Sequence, residues 1–275
     1  MDYSVNEWGN REAPLLYLLH GWGDAGGTFQ FLVDELERDW FVVAPDWRGF
    51  GNSRFRAESY WFPDYVADLD ALLEIYSPDT PARLVGHSMG ANVAGLYAGV
   101  MPERVSAFVN VEGFGLADSK PENAPANYRR WIEAGREMRG YASYRSYEEL
   151  VPKILKRSPR MAPDRALFVA RTWARETDNG IELRADPAHK LPNAVQYRRA
   201  EALACRAAAT ARVMIVTGAE SDFHAAAKPW LDEEQDRHSY RVSESVVIPG
   251  AGHMVHFEQP RRLAEAVEAF LSPDL

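Results

Sequence analysis

Short, continuous apolar runs alternate along this chain with segments whose apolar residues recur at helical spacing. Continuous apolar runs are typical of strands in a parallel sheet that is covered on both faces. Alternation of such strands with helices predicts an α/β fold, with a mostly parallel central sheet between two helical layers. The predicted strands lie at residues 14–19, 40–44, 83–85, 106–111, 212–218 and 244–248.

The pattern changes between residues 114 and 206. Helical spacing dominates there, and we find no strand of comparable strength; the four helical stretches are 125–139, 147–157, 163–176 and 192–206. This segment has 18 Lys and Arg against 12 Asp and Glu, whereas the remainder has 13 against 28. We therefore expect a core of residues 1–113 and 207–275, with a helical cap (114–206) inserted before the last two strands. Docking of a basic insertion on an acidic body explains the charge asymmetry more simply than attraction of anionic substrates.

A G-x-S-x-G pattern, Gly86-His87-Ser88-Met89-Gly90, stands between an apolar strand and a helix. A serine on so sharp a turn has strained backbone angles, and larger side chains two residues to either side would collide. The turn would lift the Ser88 hydroxyl away from the sheet, within reach of a substrate. We predict that Ser88 is a nucleophile; the alternative is a serine that only caps the helix.

A serine nucleophile needs a base, and histidine is the usual one near neutral pH. His253 follows the last predicted strand in a glycine-rich turn. Because parallel strands end at a common edge of the sheet, this turn can lie near Ser88. His253 is the predicted base; alternatively His253 caps a turn, or His256 is the functional histidine. His87 is predicted to point away from the substrate and to serve packing.

The base in turn requires a carboxylate to orient its ring. Asp222 follows the strand at 212–218, and the order Ser, Asp, His matches this type of site. Glu112 ends the strand directly after the helix that follows the Gly86–Gly90 turn (the elbow), and Glu220 also lies near a strand end. Chain order favours Asp222, with Glu112 as the alternative acid and Glu220 a third possibility.

Hydrolysis through an acyl intermediate also needs two backbone N–H donors for the oxyanion. One is expected from Met89, the residue after the nucleophile. The other is expected from Trp22, in the His20-Gly21-Trp22 loop after the first strong strand. A tight turn without this role would have the same sequence.

Composition excludes several classes of function. The net charge of −9 argues against nucleic-acid binding. One cysteine permits no internal disulfide, and no leader or membrane span is evident, so we expect a cytoplasmic protein. No G-x-G-x-x-G or Walker pattern is present, and Asp186 and His189 have no companion ligands. We therefore expect neither a cofactor nor a metal.

Together these motifs resemble the α/β-hydrolase superfamily over nearly the whole chain, and most closely its capped serine esterases and serine hydrolase-like branch. The matching segments, in family order, are His20-Gly21-Trp22, Asp46 to Ser53, Gly86 to Gly90, Gly218 to Asp222 and Gly250 to His253.

The resemblance implies acyl transfer. Ser88 would attack, and water activated by His253 would release the acid. A serine at the elbow excludes the haloalkane dehalogenase and epoxide hydrolase branches, which have aspartate there. We expect hydrolysis of a carboxylic ester of a small or medium apolar substrate by a monomer or homodimer. A thioester, a lactone or a C–C bond would need the same residues, and a binding protein or acyltransferase could share the fold.

Overall fold

The fold is centred on one seven-stranded sheet. The computed structural model describes residues 2–53, 57, 59–231, 240 and 243–272. The strands of this sheet are β1 (Val5–Trp8), β2 (Leu15–Leu19), β3 (Phe41–Pro45), β4 (Ala82–His87), β5 (Val105–Val111), β8 (Arg212–Gly218) and β9 (Ser243–Ile248). Among the described residues their order in the sheet is β1-β3-β2-β4-β5-β8-β9, with β1 antiparallel to β3 and every other neighbouring pair parallel.

Helices connect these strands and cover both faces of the sheet, which confirms the predicted fold class. They are α1 (Gln30–Val33), α2 (Phe62–Tyr76), α3 (Met89–Val100), α4 (Ala124–Arg136), α5 (Val151–Arg157), α6 (Pro163–Trp173), α7 (Arg199–Ala208), α8 (Asp222–Leu231), α9 (Val255–Glu258) and α10 (Pro260–Leu271). Each predicted strand lies within a few residues of an observed one.

The continuous apolar strands are explained by burial on both faces. Along β2, Tyr17 and Leu19 belong to the core cluster that contains residues of α2 and α3. Leu16 and Leu18 point to the opposite face and pack in a second cluster with α1 and α10. Because neighbouring parallel strands end at one edge, the loops after β2, β4, β5, β8 and β9 converge there.

The segment between β5 and β8, residues 114–206, differs from the purely helical prediction. The helix expected at 163–176 ends at Trp173, and the last expected helix begins only at Arg199. Between them lies an antiparallel hairpin of β6 (Ala174–Thr177) and β7 (Gly180–Leu183). Its two-residue turn is Asp178-Asn179, and Gly180, the first residue of β7, has a φ of 108°. An Asn-Gly pair is a strong hairpin signal because a tight turn requires positive φ.

Several contacts attach this segment to the core. Trp173 donates its indole N–H to Asp24 at 2.7 Å, and the Asp186 N–H donates to the Gly49 carbonyl at 2.8 Å. An apolar cluster also joins Val169 of α6 to Phe31 and Phe257 of the core. The division into a core and a separate cap stays a prediction.

Candidate active site

Ser88 occupies a strained turn between β4 and α3. Its φ is 50° and its ψ is −111°, a conformation that costs a non-glycine residue free energy. A Cβ on Gly86 would lie 2.6 Å from the Ala91 backbone, and one on Gly90 would lie 2.2 Å from the Leu19 carbonyl oxygen. Both glycines of the pattern are therefore required by close backbone approach, as the sequence predicts.

The structure places His253 beside Glu112. His253 Nδ1 lies 3.0 Å from Glu112 Oε2, and both side chains are buried. Because a carboxylate oxygen accepts, Nδ1 carries the proton, and Nε2 retains its lone pair. This is the tautomer that a general base needs.

Glu112 is held by two further donors from the end of β8 and the turn that follows it. The Gly218 N–H donates to Oε1 at 2.8 Å, and the Ser221 hydroxyl donates to Oε2 at 2.5 Å. The Glu112 N–H itself donates to the Val216 carbonyl, which continues the pairing of β5 with β8. Glu112 has a φ of 60°, one of two positive values among the described non-glycine residues. The backbone is thus turned at this position so that the carboxylate faces the histidine.

The prediction that Asp222 is the partner of His253 is wrong, because Glu112 occupies that position. Asp222 is the first residue of α8 and its side chain is exposed. The tight turn after β8 instead points the preceding residue, Ser221, at Glu112. Glu220 is also exposed and accepts from the Gly250 N–H at 3.2 Å, so it braces the turn before His253.

The loop after β2 lies against the elbow. His20 Nε2 accepts from the Trp47 N–H and Nδ1 donates to the Gly21 carbonyl, both at 2.8 Å. A Cβ on Gly21 would lie 3.2 Å from the Ser88 Cβ, so this loop passes directly beside the serine. Trp22 follows Gly21, and Met89 begins α3, where backbone N–H groups have no intrahelical acceptor.

Ser88, His253 and Glu112 line one cavity, together with Trp22 and Met89. Its volume of about 410 Å³ is within the usual range for small-molecule sites. Its lining is mainly apolar. The ring of Phe223, from α8, stacks on His253 with centroids 3.9 Å apart. The lining residues include Ser88, His253, Glu112, Trp22, Met89, Tyr60, Phe62, Tyr65, Phe114, Leu116, His189, Leu191 and Phe223. Ser88 and His253 share this cavity without a direct hydrogen bond among the described residues, and such contacts often tighten only with substrate bound.

His189 contributes a neutral polar group to the wall. Its ring lies between those of Phe50 and Tyr60, each 3.7 Å away between centroids. Burial lowers the pKa of His189 to about 4. Asp186 caps the short turn that contains His189 by accepting from the Ala188 N–H at 2.9 Å, which agrees with the expected turn.

Among the described residues, Asp24, His87 and His256 form a cluster whose side chains could in principle ligate a metal ion. Their ligand atoms lie within 4.8 Å of one another and all three are buried. The Asp24 oxygens already accept hydrogen bonds from protein donors, including the Trp173 indole at 2.7 Å and the Thr28 hydroxyl at 2.8 Å. Burial alone would raise the pKa of Asp24, but the hydrogen bond and charge of His256 lower it to about 2. The two Asp24 oxygens and His256 Nε2 are thus already engaged in hydrogen bonds within the protein.

Comparison with known proteins identifies the family. Residues 14–260 match a sequence profile described as alpha/beta hydrolase fold. The chain belongs to this α/β-hydrolase family. Within the described ranges, no helix combines the length and apolar character needed to cross a bilayer.

Individual relatives support the same assignment. A serine hydrolase-like protein of Danio rerio is 28% identical over 97% of this chain and 84% of its own length. The pimeloyl-[acyl-carrier protein] methyl ester esterase of Aeromonas hydrophila is 27% identical over 98% of this α/β hydrolase and 100% of its own length. The thioesterase domain of the curacin biosynthetic pathway superposes with a TM-score of 0.87 at 22% identity, covering 97% and 95% of the two chains. The resemblance to α/β hydrolases and their serine hydrolase-like branch is confirmed.

Proposed function

We propose that this α/β hydrolase cleaves a carboxylic ester of a small or medium apolar substrate through Ser88, His253 and Glu112. The contact between His253 Nδ1 and Glu112 Oε2 carries the proposal, because it prepares the histidine to accept a proton from the nearby serine. The strained turn of Ser88 and the mainly apolar cavity support it.

The chemistry follows from these positions. Ser88 Oγ attacks the carbonyl carbon while His253 Nε2 takes the hydroxyl proton. The Trp22 and Met89 N–H groups stabilise the oxyanion, and the departing alcohol receives the proton from His253. His253 then deprotonates a water molecule, which attacks the acyl carbon. The bond between that carbon and Ser88 Oγ breaks, Ser88 Oγ takes the proton from His253, and the acid is released. The Glu112 carboxylate stabilises the imidazolium form at both steps.

Thioesters, lactones and C–C bonds between carbonyl groups could react through the same residues. The names of the relatives support an ester or thioester first, since one is an esterase and one structural neighbour is a thioesterase domain. A panel of p-nitrophenyl esters of increasing acyl length, matched thioesters and lactones would rank these classes by kcat/KM. An acyltransferase would show faster turnover when an alcohol acceptor is added.

Replacement of Ser88 by alanine tests the nucleophile directly. We expect Ser88→Ala to lower kcat for the best ester by about 10⁴-fold or more, because the covalent step has no other nucleophile. Labelling by a fluorophosphonate probe, read by intact mass, should also disappear.

Ser119→Ala is the matched control, since Ser119 lies outside this cavity and should leave both signals unchanged. If the wild-type protein is not labelled by the fluorophosphonate and hydrolyses no member of the panel, the proposed function is wrong and a binding role is favoured. Retained labelling in Ser88→Ala would place the nucleophile elsewhere.

A further inference from the structure

His87, the residue before the nucleophile, connects the elbow to the loop of the catalytic histidine. Its Nε2 lies 2.9 Å from the backbone carbonyl oxygen of His253. A carbonyl oxygen can only accept, so Nε2 of His87 carries the proton and donates. The bond joins two residues 166 positions apart, at the place where β4 and β9 end.

The other edge of the His87 ring faces the loop that supplies the predicted oxyanion donor. His87 Nδ1 is buried and has no hydrogen-bond partner among the described residues. A Cβ on Gly21 would lie only 2.8 Å from this nitrogen, so the Gly21 backbone lies against the ring. His87 therefore touches all three loops that surround Ser88: the one after β2, the elbow itself and the one after β9.

The His87 ring also packs against a second buried histidine, His256. The His256 ring lies 4.4 Å from that of His87 between centroids, and His256 Nε2 lies 3.2 Å from Asp24 Oδ2. Asp24 follows Gly21 and Trp22 in the loop after β2, and His256 follows His253 in α9. The contact between Asp24 and His256 thus ties the same two loops that His87 joins, on its other side.

We infer that His87 is a positioning residue, which holds the His253 loop against the elbow so that the imidazole stays within reach of Ser88. The inference rests on the proposed function for its kinetic consequence. Ordinary packing would require only an apolar side chain of this size, whereas positioning requires an N–H at the place of Nε2. This difference makes the two roles separable.

Two substitutions separate the roles. In His87→Gln the side-chain amide can place an N–H where Nε2 stands; His87→Met fills a similar volume without a donor. A misplacement of about 1 Å at a reacting group can cost about 10²-fold in rate. We expect His87→Met to lower kcat by about 10- to 100-fold with KM changed by less than about 2-fold. His87→Gln should recover most of the wild-type kcat.

A second measurement does not depend on turnover. The proton on His253 Nδ1, shared with Glu112, should give a downfield NMR signal in the wild type and in His87→Gln. In His87→Met we expect this signal to broaden or vanish, because the His253 backbone has lost its anchor. If His87→Met does not fold, His87→Asn takes its place, since the shorter amide cannot reach the His253 carbonyl.

The possible results distinguish a failure of the proposed esterase function from a failure of the inference about His87. A wild type without esterase activity would remove the proposed function, while the NMR comparison would still decide the role of His87. A folded His87→Met protein with wild-type kcat and an unchanged His253 signal would overturn the inference. Equal loss in His87→Met and His87→Gln would do the same, because the ring rather than the N–H would then be required.

Discussion

Glu112→Gln is expected to lower kcat for ester hydrolysis by about 10³- to 10⁴-fold, whereas Asp222→Asn should stay within about 2-fold of the wild type. Glutamine can offer an N–H toward His253 Nδ1, so the ring would shift its proton to Nε2 and lose the lone pair that accepts the serine proton. The imidazolium that forms during the reaction would also lose its carboxylate. Asp222 is exposed and faces solvent at the start of α8, so its charge is screened from the site.

The pair of substitutions is its own control, because each converts one carboxylate to an amide near the end of β8. In Glu112→Gln the Gly218 N–H can still donate to the oxygen of the new side-chain amide, so this variant should fold. Steady-state kinetics with the best p-nitrophenyl ester and the rate of fluorophosphonate labelling would both be measured. Full activity in Glu112→Gln together with loss in Asp222→Asn would restore the assignment made from chain order.

The sheet and the elbow are readable from the sequence because their signals are local. The run from Leu15 to Leu19 is apolar at every position, which only a strand buried on both faces tolerates. At the elbow, Gly86 and Gly90 are dictated by atoms within a few ångströms of the turn. The strand and the glycine pattern each occupy five consecutive residues, so both are visible in the sequence.

The acid could not be read in the same way, because its position depends on the register between strands. Val111 pairs with Val216, and this places Glu112 opposite the end of β8. In the turn after β8, Ser221 faces Glu112, whereas the next residue, Asp222, is exposed to solvent. The signal available in the sequence was a carboxylate directly after the strand that follows the elbow helix. The usual order of the three residues along the chain, Ser, Asp, His, nevertheless favoured Asp222.

The hairpin of β6 and β7 was missed for a related reason. Its strands are four residues long and half exposed, so they have little apolar periodicity. The Asn179-Gly180 pair was the available signal. His87 is a similar case: its burial was predicted as packing, but its hydrogen bond to the His253 carbonyl depends on a contact across the sheet edge.

Acidification below about pH 6.5 is expected to destabilise this protein before its carboxylates titrate. Burial lowers the pKa of His20, lowers that of His87 well below its ordinary value, and lowers that of His189 to about 4. As the pH falls below about 6.5, the unfolded chain therefore binds protons at these histidines that the folded chain does not bind; for His189 this difference persists down to about pH 4. Each such histidine reduces the free energy of unfolding by at most about 1.4 kcal/mol per pH unit, a limit reached where the unfolded residue is protonated and the folded residue is neutral.

The contributions of these three histidines have the same sign, and together they act on a free energy of unfolding that is only roughly 5–15 kcal/mol for a typical domain. Above about pH 7 their contribution is constant. The low pKa of Asp24, about 2, acts in the same direction only below about pH 4. Urea unfolding followed by circular dichroism between about pH 7 and about pH 5 would measure the slope.

His87→Gln identifies the share of one residue, since glutamine keeps the donor to His253 and removes the titrating ring. We expect the free energy of unfolding of this variant to fall less steeply than that of the wild type below about pH 6.5, by at most about 1.4 kcal/mol per pH unit. His224→Gln, at an exposed position of α8, is the matched control and should follow the wild type. If the wild-type slope stays near zero down to about pH 5, the buried histidines accept protons in the folded state. His87 would then gain a second N–H, at Nδ1 beside the Gly21 backbone, and the three loops around Ser88 would be coupled to that proton.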